Sequence, residues 1–139
     1  HGLAELSTAM LVRFTQIDYD CEMAFVALYE TPDGKLEEVA TSRYVQEADG
    51  ETCEFALVVS DAWQGHGLGT AMMRAIIEHA RSRGLLRMRG DVLYENHRML
   101  RLMQHIGFSV APHEEDATLR VVWLKLNDPR PSRMPPADA

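Results

Sequence analysis

Apolar and polar residues alternate along this chain with two different periods, and the period changes near residue 60. Residues 7–16 read as a short helix, with Ser7 at the N-cap and Met10, Leu11, Phe14 and Ile17 at helical spacing. Asp18, Tyr19 and Asp20 break that pattern. Residues 23–30 are apolar and aromatic enough for a strand, and Thr31-Pro32-Asp33-Gly34-Lys35 is a hairpin turn signal. Residues 36–45 form the return strand, 47–50 a second turn, and 52–59 a third strand in an antiparallel meander.

Beyond the change of period, Leu68, Met72, Ile76 and Ala80 recur every four residues, with Thr70, Arg74, Glu78 and Arg81 on a polar stripe. An amphipathic helix ending near Gly84 follows. Residues 85–93 form a strand parallel to the third, if the crossover has the usual hand. Residues 96–106 form a second helix, with Met99, Leu102, Met103 and Ile106 inward and Arg98, Arg101 and His105 outward. Residues 108–111 and 118–126 close the sheet as an antiparallel pair. The order βββαβαββ describes an α/β (α+β) fold, a mixed sheet covered by helices. One domain is expected over 1–127, followed by a flexible Pro-rich tail over 128–139.

The 139 residues suit a single core. Fourteen Lys and Arg against 21 Asp and Glu give a net charge of −7, which argues against nucleic-acid binding and would steer a cationic partner. No apolar run is long enough to span a membrane. Cys21 and Cys53 make no framework and no metal motif, so they read as thiols of a reducing cytoplasm, and no metal is expected. The chain opens on His1 without a signal peptide, so it is expected to be part of a longer protein.

The chemistry concentrates where the period changes. Leu57-Val58-Val59 leads through Ser60-Asp61-Ala62-Trp63 into Gln64-Gly65-His66-Gly67-Leu68-Gly69-Thr70, which opens the long helix. Amides at a helix start lack partners and carry the positive end of its dipole, so they suit a pyrophosphate. Glycines let a phosphate approach and permit positive φ. A Walker loop needs a lysine that is absent, and a dinucleotide fingerprint counted from Gly65 needs glycine or alanine where Thr70 stands. A tight strand-to-helix turn without ligand is the plain alternative.

Gln64-x-x-Gly67-x-Gly69 resembles the signature of the GNAT superfamily of N-acetyltransferases. So does Asn96 opening a helix that ends Leu102-Met103-Gln104-His105-Ile106-Gly107-Phe108. The resemblance runs from about Ser7 to Leu126. More narrowly, the stretch from Arg13 to Asp20, Glu22-Met23-Ala24-Phe25 and Glu54-Phe55-Ala56-Leu57-Val58 look like the GNAT domain of bacterial protein-lysine acetyltransferases, often fused to an ADP-forming acyl-CoA-synthetase-like region. Cys21 departs from the arginine usual in those relatives. The resemblance also implies that the family's first strand and helix are missing, which makes the helix over 7–16 its second.

It further implies acetyl-CoA as acyl donor, held by Leu57, Val58, Val59, Gln64, Gly65, His66, Gly67, Leu68, Gly69, Thr70 and Asn96. Strand 52–59 would splay from its parallel neighbour, pair with the pantetheine arm and polarise the thioester carbonyl with an amide near Val59. A lysine acceptor near pH 7.4 is about one part in a thousand neutral, a handicap of about 4 kcal/mol. Glu54 is the candidate base: it is a carboxylate inside an apolar strand, sharing a face with Ala56 and Val58, and partial burial would raise its pKa. The family's general-acid tyrosine is replaced by Met103. A thiolate of pKa about 8.5 can leave without that help. Tyr94 reads as a packed rim residue, and Asn96 is also a natural N-cap. His66 is solvated, residues 113–116 form a solvated turn, and Asp18-Tyr19-Asp20 is either a turn or part of an acceptor wall.

The expected function is acetylation of protein lysines, with an acyl-CoA synthetase as a possible target. A small-amine acetyltransferase, acting on a polyamine, amino acid or aminoglycoside, and a non-catalytic acyl-CoA sensor are the alternatives.

Overall fold

The computed structural model describes residues 12–18 and 21–129. Among the described residues seven strands form one sheet: β1 (Val12–Asp18), β2 (Glu22–Glu30), β3 (Leu36–Gln46), β4 (Thr52–Val59), β5 (Arg87–Leu93), β6 (Ser109–Pro112) and β7 (Leu119–Lys125). Their order is β1-β2-β3-β4-β5-β7-β6, and all neighbours are antiparallel except β4 and β5. Helix α1 (Leu68–Ser82) crosses from β4 to β5, and α2 (His97–Ile106) joins β5 to β6. No helix among the described residues is long and apolar enough to cross a membrane.

The helix expected over 7–16 is corrected. Residues 7–11 lie outside the described residues, and Val12–Asp18 is a strand paired with β2 from Val12↔Tyr29 to Asp18↔Met23. Val12, Phe14, Thr15 and Ile17 are strand formers, and a segment this short fits either period. Pairing with a neighbouring strand decides it. Residues 19 and 20 of the expected turn or acceptor wall lie outside the described residues, as does the tail from residue 130.

The remaining elements fall where the pattern puts them, within a residue or two at their ends. Gly34 takes φ 85° in the first hairpin turn. In the second, Asp49 accepts amides from Glu51 and Thr52 and the Thr52 hydroxyl, and these bonds hold its carboxyl below the usual range.

Both helices pack on one sheet face. Met73, Ile76 and Ala80 of α1 and Met103 of α2 bury against Tyr44, Phe55, Met88 and Val122 from the strands, while Met72 packs with Ala27, Val39 and Ala40. The opposite strand positions, among them Arg43, Glu54, Ala56 and Asp91, are exposed. At the end of the sheet, Asn127 Nδ2 donates to the carbonyls of Arg81 and Leu85 at 3.0 and 2.8 Å, tying the last described turn to the end of α1.

Candidate functional site

The parallel pair opens into a fork. β4 and β5 pair at Thr52↔Arg87, Cys53↔Met88 and Glu54↔Arg89 and then part, although β4 runs to Val59 and β5 to Leu93. The next rung would set Phe55 beside Gly90. A Cβ built on Gly90 would lie 2.4 Å from Phe55 Cε2, so the phenyl ring fills the space of the missing side chain. Phe108 backs that ring, with centroids 5.3 Å apart. Gly90→Val should therefore overpack the wedge and cost about 1–3 kcal/mol, measured by chemical denaturation. An unchanged midpoint would show that the ring swings aside freely. Beyond the wedge, the β5-facing edge of β4 has no strand beside it among the described residues.

The glycine loop closes one end of the fork. A 3-10 turn, Asp61–Trp63, precedes it and buries Trp63 against Tyr29, ring centroids 5.1 Å apart. Gln64 Nε2 donates to Val59 O and Asp61 Oδ1, both at 3.2 Å, so this side chain braces the loop. Gly65 and Gly67 both have φ 82°, and Gly67 caps α1 with no side-chain cap. From Gly65 to Thr70 the amides donate to no acceptor among the described residues; the ladder begins with Ala71 N to Gly67 O. Such a run of free donors at a helix start, shaped by positive φ, is an anion nest. A Cβ on Gly69 would lie 3.1 Å from Leu102 Cδ2, so glycine here lets α1 approach α2.

A cleft of about 500 Å³ lies between these parts. Leu57 and Val59 from β4, Gln64, Gly65, Gly67, Gly69 and Thr70 from the loop, and Asn96 before α2 line it. The Asn96 side chain accepts the Met99 amide at 3.1 Å, so it is also the N-cap. Three expected cofactor residues do not line the cleft. Val58 is 67% exposed on the other sheet face, His66 is exposed, and Leu68 is buried in the core. Arg98 and Arg101 of α2 do line it, where an outward polar stripe was expected. Their signal was legible: both are cations in the first half of a helix whose first turn holds no acid, where the helix dipole disfavours positive charge.

Glu54 faces away from the cleft. Its side chain is 49% exposed, and its Oε2 accepts from Arg89 Nη2 at 3.0 Å. The burial expected of it is absent, because β4 turns this residue to the face that the helices leave open. With Arg43, Val45, Glu47 and Ala56 it lines a depression of about 540 Å³. It also stands on the last paired rung before the fork. Met103 is fully buried and presents nothing to the cleft. Tyr94 is half exposed, with Arg120 stacked 4.2 Å from its ring centre. Burial pushes the Cys53 thiol up to about 12, so it is no nucleophile near neutrality. Among the described residues no cluster of His, Cys, Asp and Glu could hold a metal.

Comparison with known proteins gives these features a context. The chain is 37% identical over 124 residues to an acetyltransferase of Pseudomonas aeruginosa, covering 89% of this chain and 66% of that protein. It is 33% identical over 100 residues to the acetyltransferase Pat of Mycolicibacterium smegmatis, covering 71% of this chain and 29% of Pat. It thus spans just under two thirds of the first relative and less than a third of the second. The crystal structure of the GNAT domain of S. lividans PAT superposes with a TM-score of 0.66 at 25% identity, over 91% of this chain and 70% of that one. The family model described as the acetyltransferase (GNAT) family matches residues 4–108, and with the forked sheet and glycine loop in place the chain belongs to that family.

Proposed function

We infer that the chain binds acetyl-CoA in this cleft and transfers its acetyl group to lysine side chains of a protein. One observation carries the reading: an unpaired strand edge and a nest of free amides converge on a single ligand-sized cleft. Acetyl-CoA supplies the thioester carbonyl. The amides from Gly65 to Thr70 take the pyrophosphate, while Arg98 and Arg101 add charge-assisted contacts to phosphate oxygens. The edge of β4 at Leu57, Val58 and Val59 takes the extended arm by backbone pairing, with Asn96 beside it. Val58 and Leu68 serve through their backbones, since neither side chain lines the cleft.

Glu54 then takes the proton from the acceptor's ammonium. It stands at the apex of the fork, on the face opposite the cleft. The amine would come from the open face and the acyl donor from the helix face, meeting where the strands part. Similarity to Pat and to the S. lividans PAT domain supports a protein acceptor, and an acyl-CoA synthetase is the first target to try. The net charge of −7 suits a lysine-bearing surface.

Calorimetry with acetyl-CoA, followed by mass spectrometry of acetylated lysines in a lysate, tests both halves. Acetylation of small amines alone would overturn the protein acceptor. Binding without any transfer would leave an acyl-CoA sensor. Replacing Arg98 and Arg101 by alanine should weaken acetyl-CoA binding about tenfold. It should also flatten the salt dependence of Kd. A Kd and salt slope like those of the unchanged protein would remove both arginines from the site.

A further inference from the structure

Arg89 is fixed from two sides independently of Glu54. Its Nε donates to Glu47 Oε2 at 2.9 Å, and its guanidinium carbon lies 5.9 Å from the centre of the Trp123 ring. Arg89 and Trp123 are register partners across β5 and β7, so the sheet itself sets that stacking. On its remaining side Nη2 donates to Glu54 Oε2 at 3.0 Å, across the last rung before the fork. A planar guanidinium reaches two carboxylates with separate donors in fixed geometry, which a lysine ammonium does not. Partly exposed ion pairs of this kind add about 0–1 kcal/mol to stability. The arrangement therefore matters chiefly for where it puts the Glu54 carboxylate.

We propose that Arg89 is the positioning residue of acyl transfer, clamping Glu54 by Oε2 so that Oε1 faces the acceptor amine. The inference rests on the reading of Glu54 as the base. In the step it serves, an N–H bond of the acceptor's ammonium breaks and an O–H bond forms on Glu54 Oε1. The electron pair left on nitrogen attacks the thioester carbonyl; the C–S bond then breaks, and coenzyme A leaves as a thiolate that takes up the second proton shed by the nitrogen. The guanidinium keeps all its protons. Trp123 and Glu47 hold the clamp while the carboxylate changes charge.

The test is a cycle of Arg89→Gln, Glu54→Gln and the double variant, with steady-state kinetics on the acceptor and acetyl-CoA affinity by calorimetry. Arg89→Gln should lower kcat about 10- to 100-fold. Acceptor KM and acetyl-CoA affinity should stay within roughly twofold of the unchanged protein. In the Glu54→Gln background the same change should cost nothing more, because a residue that acts through another has no effect once that residue is gone. Arg89→Lys should fail to restore kcat. Glu47→Gln, which loosens the clamp without touching Glu54, should give a smaller loss in the same direction and guards against misfolding of the first variant. Independent, multiplicative losses in the double variant, or an undiminished kcat for Arg89→Gln, would overturn the clamp while leaving Glu54 as base. Full turnover in Glu54→Gln alone would overturn both.

Discussion

Gly67→Val is expected to abolish the thermal stabilisation of this protein by acetyl-CoA while leaving the fold intact. Gly67 sits at φ 82° and ψ 0° as the N-cap of α1. A side chain there costs about 1–2 kcal/mol, and a β-branched one is the least tolerated. The loop would relax to negative φ, which turns the free amides of its neighbours out of the nest, and the new side chain would enter the cleft that Gly67 lines. The helix itself should hold, because Leu68, Met72 and Ile76 anchor it in the core. A ligand at about 100 times its Kd stabilises by about 2.7 kcal/mol, and that increment is what should vanish. Melting curves with and without acetyl-CoA decide the matter; a full shift in the variant would place the pyrophosphate elsewhere.

Glu54→Gln carries the second large effect. Glutamine keeps the shape and can still accept from Arg89, but it cannot take up a proton. Loss of a general base lowers turnover about 10²–10⁴-fold. Acetyl-CoA affinity should be unchanged, since Glu54 does not line the cleft. The remaining activity should follow the neutral fraction of the acceptor lysine. That fraction rises about tenfold per pH unit until the amine's own pKa of about 10.4. Stopped-time assays between neutral and alkaline pH would reveal this. A variant with undiminished kcat would mean that the proton leaves by another route.

Most of the architecture was legible because local chemistry and global pairing agree. The Asp33-Gly34 turn, the glycine-rich helix start and the four-residue repeat of α1 each specify one conformation. Strand β1 was misread because seven residues cannot distinguish two periods, and pairing with β2 settles what spacing leaves open. The cleft's glycines were visible in the sequence, whereas Arg98 and Arg101 were assigned to solvent. Two cations near the start of α2 were the hint, and the placement of α2 beside α1 shows that solvent on that side is the cleft. Glu54 shows the opposite failure. Its apolar neighbours suggested burial, but one strand face was covered by helices and the other was not. Alternation says which residues share a face and is silent on what lies over it.

The wedge of Phe55 against Gly90 has a mechanical consequence. Along the sheet itself only three rungs tie a four-stranded leaf to a three-stranded leaf; the crossover α1 and the shared core beneath it supply the rest. Bending stiffness in a sheet comes from its ladder, so any flexing of one leaf against the other would concentrate along the line where rungs are missing. An extended guest lying along that line would act as a splint, which makes the protein's rigidity a property it shares with its ligand.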